Sequence, residues 1–298
     1  MTQSNGEWTV LRFLSVAMVL LAWASEATVA QVNAAAPVNG CGEVITVATH
    51  TGSTTRYTLA RAPSGSAQDA GVALVLLVGG GGAIKLDARG CPQALSRNVL
   101  IRMQPLFHDA GLVTALVDAP SDASGGDGLA GLRVTPQHAD DLGKVINDVR
   151  TRTHKSVWLV GHSRGTISAA NAAARLAAPF APDGLVLMSA MMSGNANPRK
   201  TLAAQSVFDL PLQAIAVPVL VVGPGADNCM RSPAERMGDI TARTKGVRQQ
   251  LVTITGGPIS PGRPASLAAC EVQQPHDYVD QESEAAAAVM RFIRGASD

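Results

Sequence analysis

The chain has 298 residues, 46% of them hydrophobic and 16% charged, with a formal net charge of +1 and a pI near 7.8. That length suffices for one large α/β domain with a well-buried core. Lys and Arg are scattered rather than massed, which removes the electrostatic basis for a nucleic-acid partner.

The first segment differs from the rest. Arg12 precedes an apolar run, Phe13 to Ala24 (FLSVAMVLLAWA), and small-residue positions follow, ending at Ala27 or Ala30. A membrane span needs about 20 apolar residues, so this shorter run reads as the core of a signal peptide. The expected organisation is a signal peptide over 1–30, a flexible small-residue segment over 31–40 and an α/β domain over 41–298. Cleavage after Ala27 or Ala30 leaves no membrane span and sends the protein to the periplasm or the exterior.

Beyond this point strand-like and helix-like segments alternate, the pattern of a mostly parallel sheet flanked by helices. Glu43–Thr49 and Arg56–Ala60 read as an opening pair of strands. Val72–Val78 is a continuous apolar run, as expected for a strand buried on both faces, and four glycines follow it. Leu112–Val117, Val157–Val160, Leu185–Met188, Val217–Val222 and Gln250–Ile254 complete the strands. Helices are expected over Pro136–Thr151, with Ala139, Leu142, Val145, Ile146 and Val149 at helical spacing, over alanine-rich Thr166–Ala178, and over Glu284–Arg294. Three stretches lack periodicity: Ser121–Arg133, a short insertion at Ser193–Gln205, and Gly256–Gln274. Long loops in a compact domain usually carry function.

Chemistry concentrates at Gly161-His162-Ser163-Arg164-Gly165, directly between the strand VWLV and the alanine-rich helix. A Ser on a tight strand-to-helix turn is held in strained backbone above the sheet, and flanking glycines avoid a clash there. The helix N-terminus favours negative charge developing beside it. On these residues the chain resembles the α/β-hydrolases over essentially its whole mature length, and VWLVGHSRGT is similar to exported bacterial members.

The resemblance implies a Ser–acid–His order, with the acid after a late strand and the His in the last loop. Of six histidines, His276 alone falls between the last strand and the last helix. His108 and His138 are expected on helix surfaces, and His50 and His154 on the far edge of the sheet. Asp227, just beyond the strand VPVLVV, is the expected acid. The alternative one strand earlier is closed, because Leu185 to Val207 contains no Asp or Glu. Ser163 would attack an acyl carbon, His276 would take and return the proton, and Asp227 would orient His276. The oxyanion would be held by the N–H of Gly80 or Gly81 together with that of Arg164. Leu77 and Val78 stand before the glycines, where the family usually carries His.

Other patterns carry less. Gly126–Gly131 matches G-x-G-x-x-G, but a polar loop separates it from the preceding strand, so it is not a dinucleotide site. Asp118 reads as a structural turn residue, and Met188, Met191 and Met192 as core or acyl-pocket lining. No His/Cys/carboxylate spacing suggests a metal, and no cofactor is implied.

Four cysteines, none in a C-x-x-C pair, favour two disulfides in an exported chain. If Asp227 and His276 touch, their loops are neighbours, which pairs Cys229 with Cys270 and leaves Cys41 for Cys91. The expectation is a small-molecule acyl substrate, most simply a small or medium carboxylic ester. A peptidase, thioesterase or acyltransferase could use the same residues, and a non-catalytic binding domain could share the fold.

Overall fold

The computed structural model describes residues 40–63, 67–125, 128–194, 205–258 and 264–295. The expected signal peptide and nearly all of the segment after it lie outside these residues. So do Gly126 and Asp127 of the glycine-rich match, and parts of the two later loops.

In chain order the elements are β1 (Glu43–Ala48), β2 (Thr54–Ala60), β3 (Val72–Leu77), α1 (Val99–Arg102), α2 (Gln104–Asp109), β4 (Val113–Val117), α3 (Pro136–Thr153), β5 (Ser156–His162), α4 (Gly165–Arg175), β6 (Gly184–Met188), β7 (Val219–Pro224), α5 (Met237–Thr241), β8 (Gln249–Ile254) and α6 (Glu282–Ile293). Among the described residues eight strands form one sheet in the order β1-β2-β4-β3-β5-β6-β7-β8. β2 runs antiparallel to both its neighbours, and every pairing from β4 through β8 is parallel.

All six residues of β3 are buried, because helices cover both faces of the sheet. Successive side chains point to opposite faces. Leu74 and Leu76 pack in one core layer with Leu100, Phe107, Val289 and Phe292. Ala73, Val75 and Leu77 pack in the other, with Val145, Ile146, Val149 and Ile167. Full burial of such a side chain stabilises by roughly 1.5–3 kcal/mol, so the central strands anchor everything built at their ends.

α3 begins where Thr135 caps it, its Oγ1 accepting from the His138 N–H at 3.2 Å, with Pro136 as the first helical residue. It stops at His154, whose φ is 54°. α4 is rich in buried alanines, which lets it lie close on the sheet. Gly165 shows how close: a Cβ there would stand 1.9 Å from the Leu77 carbonyl oxygen.

Disulfides join Cys41 to Cys91 and Cys229 to Cys270. No helix among the described residues is long and apolar enough to cross a membrane.

Two expectations are corrected. His138 is buried, not on the surface of α3, and its Nε2 lies 2.9 Å from Ser168 Oγ; His108 is half-buried and bonded to Thr114. His50 is not on the far edge. β1 runs parallel to β4, so His50 lies at the strands' C-terminal edge, between Asp122 at 2.8 Å and Asp141 at 2.7 Å.

Candidate active site

The site lies at the C-terminal ends of β3, β5, β7 and β8. β5 sits at the centre, and Ser163 follows its last residue with φ of 54°. A left-handed non-glycine residue costs about 1–2 kcal/mol, so the surroundings must hold it. They do: the Ser163 N–H donates to the Met188 carbonyl at 2.9 Å, extending the β5–β6 ladder. The Ser163 carbonyl accepts from the Thr166 N–H at 3.0 Å and the Thr166 hydroxyl at 2.6 Å. Gly79, after β3, closes over the turn, where a Cβ would meet the Ser163 Cβ at 2.8 Å.

Asp227 follows β7 and His276 follows β8, and the structure brings them into contact. His276 Nδ1 lies 2.9 Å from Asp227 Oδ2, both side chains 1% exposed. A carboxylate only accepts, so Nδ1 carries the proton and Nε2 holds the lone pair. Nε2 is buried and has no hydrogen-bond partner among the described residues.

The carboxylate is fixed in turn. Its Oδ1 accepts from the Cys229 N–H at 2.8 Å, and its Oδ2 accepts from the Ser232 hydroxyl at 2.8 Å. Ser232 Oγ also lies 2.9 Å from His276 Nδ1. No hydrogen bond joins Ser163 Oγ to His276 Nε2; such bonds are often long before substrate arrives.

The His276 loop is held from several sides. Its carbonyl accepts from Ser189 Oγ at 2.8 Å and from His162 Nε2 at 3.1 Å. The other ring nitrogen of His162, Nδ1, lies 2.9 Å from Asn98 Nδ2 and accepts from it. Burial, against the opposing pull of the Asp277 carboxylate, lowers the His162 pKa to about 4. His162 is therefore a neutral strut between Asn98 and the His276 carbonyl.

Tyr278 donates to the Val222 carbonyl at 2.8 Å and accepts from the Ser189 N–H at 3.1 Å. Asp277 accepts from the Val99 N–H at 3.0 Å and pairs with Arg102 at 2.6 Å. α1 thus anchors the loop that carries His276.

After β3 the glycines form a built loop. Each carbonyl from Val78 to Gly81 accepts a hydrogen bond: Val78 and Gly80 from Arg133 Nη2, Gly79 from the Gly82 N–H, Gly81 from the Leu129 N–H. The N–H groups of Gly80 and Gly81 have no partner among the described residues. Arg164 caps α4 immediately after Ser163. Asp118 is a structural residue, accepting from the N–H groups of Ile84, Lys85 and Leu86, and so ties the following segment to β4.

Asp227, Cys229 and His276 place three potential metal-ligand atoms within 4.8 Å of one another. The Cys229 sulfur is bonded to Cys270 and is no thiolate, which leaves a hydrogen-bonded acid–base couple rather than a donor set.

Sequence reasoning missed Ser232, Arg133, Asn98 and Ser189. None belongs to a motif; each is a lone polar residue brought in by the fold. The only signal was a position in an aperiodic stretch, beside an unrecognised short helix or, for Ser189, just past the end of a strand. Chemically the arrangement can supply a hydroxyl in strained backbone, an imidazole whose Nε2 has no partner among the described residues, and backbone donors that carry no other hydrogen bond.

No protein-family model and no curated protein sequence matches this chain. Solved structures do. An α/β serine hydrolase without lid from Xanthomonas campestris is 16% identical, with a TM-score of 0.52, covering 87% of this chain and 97% of its own. A proline iminopeptidase from Mycobacterium smegmatis is 14% identical, with a TM-score of 0.56, covering 85% and 98%. Esterase 2 from Thermogutta terrifontis is 15% identical, with a TM-score of 0.51, covering 86% and 96%. By its sheet order, its helices on both faces and these likenesses, the chain is a protein of the α/β-hydrolase fold.

Proposed function

We propose that the protein is an exported serine hydrolase that cleaves small or medium carboxylic esters through an acyl-enzyme. The observation that carries this reading is the Asp227–His276 couple, with Nε2 left unpartnered, at the same sheet edge as strained Ser163. The Ser163 hydroxyl adds to the ester carbonyl carbon as its proton passes to His276 Nε2. The imidazolium returns that proton to the departing alcohol as the C–O bond breaks. Water then repeats the sequence on the acyl-enzyme and releases the acid. Asp227 keeps the tautomer and stabilises the imidazolium. Backbone N–H groups of the Gly80–Gly81 loop and Arg164 hold the oxyanion.

Two features support a short substrate. Arg231 donates to the Ser193 carbonyl through Nε and to the Gln205 carbonyl through Nη2, each at 2.9 Å, and so clamps the base of the insertion after β6. Only the stretch 194–204 lies beyond the clamp, little chain to cover a long acyl group. The Xanthomonas neighbour is itself described as lacking a lid. Export is supported by two disulfides, which persist in oxidising compartments, and by the residue pattern over 1–30.

The test is hydrolysis of a p-nitrophenyl ester series with a matched set of anilides, by the wild-type protein and Ser163→Ala. The expected result is greatest kcat/KM on acetyl to butyryl esters and no turnover above background in Ser163→Ala. Preference for dodecanoyl esters would overturn the substrate size. Preference for anilides would make the protein an amidase or peptidase, and retained turnover in Ser163→Ala would remove the nucleophile.

A further inference from the structure

Four consecutive glycines are the least restrained backbone a chain can offer, yet stabilisation of an oxyanion depends on donors that are already oriented. Something must hold the Gly79–Gly82 loop. The structure shows what does. Arg133, from the turn before α3, lies behind the loop, 3% exposed, with Nη2 3.4 Å from the Val78 carbonyl oxygen and 3.3 Å from that of Gly80. Nη1 donates to Ser168 Oγ at 2.7 Å, so α4 steadies the guanidinium itself. The contacts to the carbonyls are long for hydrogen bonds and act mainly as attraction between a full charge and two dipoles.

In a trans peptide the N–H points opposite the carbonyl before it. A Gly80 carbonyl turned toward Arg133 turns the Gly81 N–H away from it. The Gly79 carbonyl, held by the Gly82 N–H, sets the Gly80 N–H in the same way. Gly79 meanwhile touches Ser163, so the loop lies between the cation and the proposed nucleophile.

We propose that Arg133 is the positioning residue of the oxyanion loop. Its guanidinium fixes the Gly80–Gly81 peptide plane and, through the Val78 carbonyl, the entry to the loop, so that the Gly81 N–H, beside a Gly80 N–H set by the Gly79–Gly82 turn, stays aimed at the carbonyl oxygen of an ester on Ser163. The proposal rests on the serine-hydrolase reading and adds a further effect: a positive charge close behind the developing oxyanion.

Arg133 is an expensive residue to keep. No carboxylate pairs with it among the described residues. Burial, and secondarily the Arg164 cation, pull its pKa down to about 9, which leaves it charged at neutral pH. An unpaired buried cation is a cost to folding, of the kind retained where function requires it. Its removal leaves Ser168 Oγ with His138 Nε2 as a partner at 2.9 Å and takes from the Val78 and Gly80 carbonyls only long contacts of 3.4 and 3.3 Å. A purely structural arginine and a positioning arginine therefore predict opposite changes in stability.

The experiment compares wild type, Arg133→Met and Arg133→Lys. Labelling of wild-type Ser163 by a fluorophosphonate comes first, because its failure would remove the hydrolase reading independently of Arg133. The variants are then assayed for kcat and KM on p-nitrophenyl acetate, for inhibition by phenylboronic acid, whose serine adduct is a tetrahedral anion, and for the urea midpoint. Arg133→Met should lower kcat by roughly ten- to a hundredfold, less than loss of a donor itself. KM should stay within about twofold, and the boronate inhibition constant should rise in step with the fall in kcat. The urea midpoint should hold or rise. Arg133→Lys should recover part of the loss, since its ammonium keeps the charge but not the forked reach. Wild-type kcat in folded Arg133→Met would overturn the proposal. So would a fall in kcat that tracks a lower urea midpoint while boronate affinity stays unchanged.

Discussion

Ser232 completes the acid–base couple. It donates to the Asp227 oxygen that faces His276 and lies 2.9 Å from the imidazole Nδ1, so one carboxylate oxygen is shared by two groups. Asp227→Asn replaces that acceptor with an amide able to donate to Nδ1, which selects the wrong tautomer. Steady-state kinetics should show kcat at least about a hundredfold lower in Asp227→Asn and in His276→Ala, with KM little changed. Ser232→Ala leaves the tautomer intact and should cost about tenfold or less. Near-normal kcat in Asp227→Asn would return the search to another carboxylate. The placement of Ser163, Asp227 and His276 at one edge of the sheet was legible because each follows a strand in a parallel order. Ser232 was not, since a serine in an aperiodic loop reveals its partner only once the loop is folded. Two buried histidines set an acid limit. Burial lowers His162 to about 4 and His138 to about 3, the second aided by the Arg133 charge. With folded values below the ordinary 6.5, the unfolded chain binds more protons as pH falls, so stability is lost from about pH 6.5 downward. Each should contribute a loss of about 2 kcal/mol by pH 5. His50 works the other way, raised first by its bond to Asp122 and then by that to Asp141, but its position near the surface weakens it. Urea midpoints between pH 7 and 5 should fall, and fall less in His138→Gln. A flat profile would contradict this assignment.

At the scale of elements, the strands were readable because burial on both faces writes continuous apolar runs, as in β3 and β7. α3, α4 and α6 were readable from their apolar spacing and alanine content. α1, α2 and α5 were not, because helices of four to six residues present less than two turns of pattern. Missing α1 also hid Asn98 and Arg102, which hold His162 and Asp277. The Cys229–Cys270 disulfide links the loop after β7 to the loop after β8 across a separation of 41 residues. The Cys229 N–H also holds Asp227, so the crosslink both restricts the unfolded chain and steadies the acid. A disulfide of this kind typically contributes about 2–4 kcal/mol. The double variant Cys229→Ser/Cys270→Ser should therefore lose stability in urea, and should lose kcat under conditions where circular dichroism still reports a folded domain. Unchanged kcat in the folded double variant would confine the bond to a stabilising role.

At the scale of the molecule, the parallel pairing from β4 to β8 gathers residues 79, 163, 227 and 276 at one edge of the sheet. Chain order suggested that gathering, because successive parallel strands all end on the same side. The place of His50 on that edge was hidden, since it depends on β1 running antiparallel to β2 and so parallel to β4. Sequence similarity offered no shortcut at 14–16% identity; shared architecture persisted where residue identity did not. On the proposed function, this edge makes Ser163 a nucleophile served by His276. The most direct measurement is active-site labelling with a fluorophosphonate, read by mass spectrometry of the intact protein and its peptides. One adduct per chain is expected, located on Ser163, absent in Ser163→Ala and strongly slowed in His276→Ala. Labelling at another serine, or none on folded protein, would contradict it.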